Sequence, residues 1–327
     1  MTYKESQYKH QVEVLSSHPS LFNGDRGDGL FRKNTYPFVL QNGLNNLYGP
    51  IRGNVIQYFR ENRIAWWGGY KPTGHMLSSQ IACLNHLFAI REDKDAVLNL
   101  VNRLRNELHF EQVIPLSNDK DPQYITFEAV SQQDHLNEEE PSRGTNCTSI
   151  DALIAAKTVS GETWLIPIEW KYSEVYYKQD KSKEKGRGAI RLERYPSLID
   201  SSAYLKTLPE YEGSPYFFEP FYQLMRQTLW AEQMILHKDE EWIKADRFLH
   251  IHVVPSENVD LLQKKYHFSG KGMVDSWKEL LIKDTYQLTT PEEFLSPLEG
   301  NTKYSSLLDY LRIRYWQDSY KDSVSQK

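Results

Sequence analysis

TSIDALIAAKTVSGETWLIPIEWKY, residues 148–172, is the stretch whose reading decides the fold. Two apolar, alternating segments flank Val159-Ser160-Gly161, which is the pattern of a β-hairpin. A three-residue hairpin loop favours Gly at its last position, where the backbone is left-handed, and Gly161 stands there. Such a loop pairs Thr158 with Glu162, so partner numbers add to 320 and Asp151 falls opposite Glu169. Directly opposed residues share a face, with Cβ atoms about 4.5–5.5 Å apart. Lys171 lies two residues beyond Glu169 and shares that face. Two opposed carboxylates repel each other. A divalent cation between them removes the conflict, and hard oxygen ligands suit Mg²⁺, with Mn²⁺ as its substitute. Two other readings stay open. The trio can face solvent with Lys171 paired to one acid. A loop of two or four residues would shift the register and turn Asp151 to the opposite face. Pro167 also removes a backbone donor from what should be an inner strand.

Upstream, apolar residues at Ile51, Val55 and Phe59 suit a helix over 51–64. Leu77, Ile81, Leu84 and Phe88 make one apolar stripe over 77–90. A further helix follows Asp93 as N-cap, with Val97, Val101, Leu104 and Leu108 inward. Residues 110–116 and 124–130 read as strands. In the second, Ile125, Phe127 and Ala129 share one face, and Tyr124, Thr126 and Glu128 the other. A polar loop over 132–143 carries Glu138, Glu139 and Glu140, read as solvated charge. Downstream, 219–237 is helical and RFLHIHVV, residues 247–254, is a strand. His250 and His252 share a face there and read as a packed or surface pair, because no third ligand is evident. The remainder reads as mostly helical, with Trp277, Leu280, Leu281, Leu307, Leu308 and Leu311 as core candidates. The fold class is therefore α/β: a mixed β-sheet core flanked by helices, with helical additions at both ends. Residues 1–73 and 256–327 are the additions, and 74–255 is the core.

Hydrophobic content of 39% is enough for a real core. No stretch approaches the roughly 20 apolar residues of a membrane helix. The polar N-terminus lacks an apolar leader, so a cytoplasmic protein with no membrane role is the expectation. Cys83 and Cys147 read as packed, reduced thiols. A net charge of -5 argues against a protein that coats nucleic acid non-specifically, but leaves room for an enzyme with a local basic field. Residues 178–194 supply such a field, with Lys178, Lys181, Lys183, Lys185, Arg187, Arg191 and Arg194. They suit phosphate contacts, or a loop with no partner. In the helix at 219–237, Gln223, Arg226 and Gln227 share a face that either meets phosphate or is merely solvated. GxxxxGK, GxGxxG and GxSxG patterns are absent, so nucleotide-driven and serine-hydrolase readings lose their usual support.

An aspartate, a hairpin, and then Glu-Trp-Lys at the end of an apolar strand resembles the PD-(D/E)XK nuclease superfamily, on Asp151, Glu169, Trp170 and Lys171. RGTNCTSIDA (143–152), IEWKYSE (168–174), FYQLMRQTLWAEQM (221–234) and GHMLSSQIACLNHLF (74–88) resemble, more narrowly, a bacterial restriction-endonuclease-like family. The resemblance implies a restriction-endonuclease-like core in which Asp151, Glu169 and the Trp170 carbonyl hold Mg²⁺. It implies that Lys171 positions or polarises the attacking water. Ile150 stands where the superfamily name has proline. Many members carry an acid on the first core helix. Here 75–91 has none, that face offers His75, Ser79, Gln80 and Asn85, and Glu128 is the candidate substitute ligand. Gln80, Gln223, Arg226, Gln227, Lys183, Lys185 and Arg187 are the candidate contacts to substrate phosphate. The function expected is Mg²⁺-dependent hydrolysis of phosphodiesters, in DNA first, with nucleic acid as partner and a second copy of the chain as a further candidate. Two other classes are carried. One is an inactive nucleic-acid-binding module, motivated by the incomplete acidic set. The other is an interaction scaffold, compatible with 13% aromatic residues and net negative charge.

Overall fold

The structure, a computed structural model, describes residues 1–105, 107–117, 121–139, 147–176 and 179–316. Lys178, Glu140 and Arg143–Asn146, named above, lie outside them. In chain order come α1 (Tyr3–Ser17), a ribbon of β1 (Gly29–Phe31) and β2 (Asn34–Tyr36), α2 (Arg52–Glu61), α3 (Ser79–Leu87) and α4 (Lys94–Leu104). Next are β3 (Phe110–Val113), β4 (Ile125–Ala129), β5 (Ile150–Thr158) and β6 (Thr163–Trp170). Then follow α5 (Gly188–Arg194), α6 (Pro196–Ser201), α7 (Phe221–Leu236), β7 (Arg247–Phe248) and β8 (His250–Val253). The chain continues through α8 (Val259–Leu262), α9 (Met273–Lys278), β9 (Tyr286–Thr289), α10 (Pro291–Leu295) and α11 (Ser305–Arg314).

The hairpin closes in the register that its loop demands. Gly161 has φ 91, Gly161 N–H donates to the Thr158 carbonyl (2.9 Å), and Thr158 N–H donates to that of Glu162 (3.0 Å). Every pair from Lys157↔Thr163 to Ala152↔Ile168 keeps partner numbers adding to 320. The β5–β6 pair is the centre of a seven-stranded mixed sheet. β3 and β4 lie antiparallel along β5, while β7 and β8 run parallel beside β6, and β9 runs parallel to β8. Pro167 costs β6 nothing on the β5 side. Thr158 and Glu162 form a hydrogen-bonded pair, so even-numbered residues of β6 bond β5, and odd ones, such as Lys171 to Val253 (2.9 Å), bond the other side. The donor missing at Pro167 faces the break at Leu249, between β7 and β8.

Side-chain alternation sends the two faces of the sheet into two cores. Ala152, Ile154, Ala156, Ile166 and Ile168 pack with the apolar stripes of α3 and α4, including Ile81, Leu84, Val97 and Val101. Leu153, Ala155 and Leu165 pack against α7 through Leu224, Met225 and Leu229. The face assignment in β4 needs correction. Ile125 and Phe127 enter the first core and Ala129 the second. The cause is Glu128, whose left-handed backbone (φ 49) breaks the alternation. The helical expectation for the C-terminal part misses β9, whose Tyr-Gln-Leu-Thr text extends the sheet beside β8.

Both ends of the described chain pack on the core. A Thr2–Glu5 capping box starts α1. Gln11 of α1 donates to the Arg314 carbonyl (2.7 Å) and to the Tyr172 hydroxyl (2.9 Å), just beyond β6. Arg314 is fully buried. Its guanidinium bonds the carbonyl and side chain of Asn46 and the Tyr310 hydroxyl, with the Tyr315 ring 4.9 Å away. Among the described residues no helix is long and apolar enough to cross a membrane.

Asp93 joins α4 to the segment before α11. It caps α4 through Ala96 N–H (3.0 Å) and accepts from Lys303 (2.5 Å) and the Tyr304 hydroxyl (2.6 Å). Burial opposes its ionisation, but these partners outweigh burial and hold its carboxyl down at about 2. Loss of such a cap costs about 1–2 kcal/mol, so Asp93→Ala is expected to lower the denaturant midpoint. The folded carboxyl titrates below the unfolded one. The stabilisation is therefore complete above about pH 5 and lost as pH falls towards 2. Denaturant unfolding of wild type and variant across that range checks it, and a gap that widens in acid would contradict it.

Candidate active site

The two registers together line up three acids. The β4–β5 pairs Phe127↔Ala152 and Ala129↔Ile150 flank Glu128 and Asp151, so these two oppose each other. The β5–β6 register puts Glu169 opposite Asp151 on the other side. The β5–β6 ladder ends at Ala152↔Ile168. Beyond it the Asp151 carboxylate accepts the Trp170 N–H (2.8 Å), so a side chain replaces the next rung. The Trp170 carbonyl leaves the strand on the same edge as that N–H, while its indole is buried in the first core. Burial raises the Asp151 pKa well above its ordinary value, and the charges of Glu169 and Glu128 push the same way.

Glu169 (4% exposed) and Lys171 (5% exposed) form a buried ion pair. Helix α7 holds both: Gln223 accepts from the Lys171 ammonium, and Gln227 donates to the second Glu169 oxygen. A carboxylate only accepts, so Gln227 must offer it the amide nitrogen and turn its oxygen to His250 Nε2 (2.8 Å). That assigns the Nε2 proton to His250, whose pKa burial lowers to about 4, so the ring stays neutral. Burial disfavours the Lys171 ammonium, but Glu169 foremost, then Tyr176, Glu174 and Asp151, overcomes this and raises its pKa well above normal. Lys171 is therefore a fixed cation.

Glu128 is held from the first core helix. Gln80 donates to one of its oxygens (2.7 Å) and Ser149 to the other (2.8 Å). The Gln80 oxygen accepts the Trp67 N–H (2.9 Å). Arg226 pairs with Glu138 (3.0 Å), which also accepts from Tyr195 (2.5 Å) and Thr148 (2.8 Å). Reading Glu138 as solvated loop charge is thus corrected: it is 3% exposed. Burial opposes its ionisation, but Arg226, Tyr195 and Thr148 overcome that and lower its pKa. A loop glutamate carries no periodicity, so nothing in its neighbours signals this partner 88 residues away.

Asp151, Glu169, Lys171, Glu128, Gln80, Gln223, Arg226 and Gln227 all line one cavity of about 490 Å³. Glu174, Tyr176, Ser149 and Trp67 also line it, and the sequence reading did not include them. Trp67 is 45% exposed on its wall, an uncommon position for an indole and visible only in three dimensions. Lys183, Lys185 and Arg187 do not reach this cavity. Lys183 lies 3.8 Å from Asp180, and Lys185 is exposed. Arg187 lines an adjoining cavity of about 410 Å³ with Arg191, Arg194 and Tyr222, and the two cavities share Arg226 and Cys147. Cys147 is half-buried at that junction, whereas Cys83 is packed. His250 and His252 are buried, as a packed pair should be, and His252 meets the Tyr286 hydroxyl (3.0 Å).

Comparison with protein-family models matches residues 8–316 to a family described as restriction endonuclease associating with ARP. No curated protein and no solved structure matches the chain. The matched span takes in all three acids, Lys171, α7 and most of both end segments. The chain belongs to the restriction endonuclease associating with ARP family, a restriction-endonuclease-like family whose membership points to nuclease function.

Proposed function

We propose that the protein is a divalent-metal-dependent nuclease of PD-(D/E)XK type that hydrolyses phosphodiester bonds in DNA. The observation that carries this reading is three carboxyls on adjacent strands, Glu128, Asp151 and Glu169, lining one cavity with a buried ammonium, Lys171, that pairs with Glu169. The donor set fits Mg²⁺ or Mn²⁺: it is all oxygen, and mutual repulsion already opposes ionisation of Asp151. Asp151 and Glu169 are the ligands, with the Trp170 carbonyl at the same edge and Glu128 beside them. A bound cation would supply Lewis-acid polarisation of the scissile phosphate and acidify the attacking water. The chain's own groups do the rest. Lys171, a persistent ammonium, has no lone pair, so it donates to water or phosphoryl oxygen and is not the base. Gln223 and Gln227 fix the directions of Lys171 and Glu169. Gln80 fixes Glu128, and Arg226 directs positive charge at the cavity wall. Such preorganisation leaves little to rearrange as charge develops.

Plasmid and oligonucleotide cleavage with Mg²⁺ or Mn²⁺ tests the reaction. Lys171→Ala and Glu169→Gln, checked for folding by circular dichroism, are expected to lose at least ~10²-fold in rate. Undiminished cleavage in either, or cleavage that persists in EDTA, would exclude the reading.

The opposed acids also predict a trade between stability and binding. Asp151→Asn keeps an acceptor for Trp170 N–H while removing one like charge, an effect of about 0.2–1 kcal/mol. It should raise Tm in EDTA by about 0.3–1.5 °C and abolish the further rise that Mn²⁺ gives the wild type. Equal Mn²⁺ stabilisation of both proteins would argue against these ligands.

The adjoining cavity supplies the backbone contacts in this reading, through Arg187 and Arg194. Each of Arg187→Ala and Arg194→Ala is expected to reduce the slope of log affinity against log salt by about 1. Measurement in Ca²⁺ or EDTA separates binding from cleavage. An unchanged slope in both variants would place the DNA elsewhere.

A further inference from the structure

At the far end of α7, His135, His237 and Glu240 converge. One ring nitrogen of each histidine and a Glu240 oxygen lie within 4.8 Å of one another. The two rings stack face to face, with centroids 4.4 Å apart and 12° between planes. We propose that these three side chains form a zinc site that fastens the loop around residue 135 to α7.

The donor set is the first argument. Two imidazoles with one carboxylate suit zinc, and the all-oxygen acids at the sheet suit magnesium. The second is Glu241, which is 1% exposed. Its carboxylate accepts Gln132 N–H (2.9 Å), Gln133 N–H (3.2 Å) and His135 Nε2 (2.8 Å). A buried carboxylate on one imidazole nitrogen fixes the ring and leaves Nδ1 its lone pair, the arrangement that orients metal-binding histidines. The third is the helix end. His237 caps α7 at its C-terminus, where the helix dipole favours a cation.

Distances are compatible with closure. Zinc bonds of about 2.0–2.1 Å put tetrahedral ligand atoms about 3.3 Å apart. The 4.8 Å spread therefore has to shrink by about 1.5 Å. The His135 side chain is 7% exposed and anchored, while those of His237 and Glu240 are 41% and 59% exposed, so the outer two swing inward and the His237 ring turns out of its stack on His135 to bring both in-plane lone pairs onto the ion. The same loop carries Glu138, which holds Arg226 of α7. An ion here ties loop and helix at a second point, away from the acids and independent of any nuclease role.

The test is zinc affinity of chelator-stripped full-length protein, measured by competition with a chromophoric chelator. One equivalent should bind to the wild type. Affinity should fall at least ~10-fold in His237→Gln and in His135→Ala, and stay unchanged in Asp151→Asn. Cobalt should give visible ligand-field bands that His237→Gln abolishes. His237 is half-buried and among the described residues its ring makes no buried hydrogen bond, so the polar replacement His237→Gln decides the matter if His135→Ala does not fold. Zinc affinity equal in wild type and His237→Gln overturns the proposal, as does zinc binding lost only in Asp151→Asn.

Discussion

A three-residue turn brings Asp151 and Glu169 together in the cavity. Side chains alternate along a strand, so a slip of one residue at Val159-Ser160-Gly161 would carry Asp151 to the opposite face of the sheet. Gly161, at φ 91, lets the loop close without a Cβ penalty. From that closure follow the pairing of β5 with β6, the meeting of Asp151 with Glu169, and the projection of Lys171 on the same side. The second register, β4 on β5, then adds Glu128. Helix α7 completes the arrangement because Gln223 and Gln227, one turn apart, reach Lys171 and Glu169 respectively.

What was legible in the sequence was whatever depends on local period and turn chemistry. The hairpin, the N-cap Asp93, the apolar stripes of α3 and α4, and the shared face of Gln223, Arg226 and Gln227 were all within reach. So was membership of a restriction-endonuclease-like family, on the strength of short motifs. What escaped depends on distant partners. Glu138 looks solvated until Arg226 and Tyr195 are seen beside it. β9 is four residues of strand text in a mostly helical region, and only β8 gives it a partner. The positive φ of Glu128 reverses the face of Ala129, and no pattern of apolar residues announces a single left-handed acid.

The site runs against the rules that stabilise the rest of the chain. Elsewhere, several inward charged groups meet opposite or neutral partners: the terminal nitrogens of Arg314 among Asn46 and Tyr310, Asp93 among three donors, Glu241 among backbone amides. At the sheet, three acids share one strand level, one of them in a backbone conformation unfavourable for a side chain. One ammonium, Lys171, pairs with Glu169. Local conflict inside an otherwise consistent fold is where function is expected to sit.

Gln80 has a further consequence. Its planar amide presents oxygen to the Trp67 backbone and nitrogen to Glu128, so one rigid group spans the outer wall and a buried acid. Rotating that plane breaks both contacts together. The backbone of the rim residue Trp67 and the Glu128 carboxyl are consequently coupled, and whatever quiets either of them spares the other part of its ordering entropy.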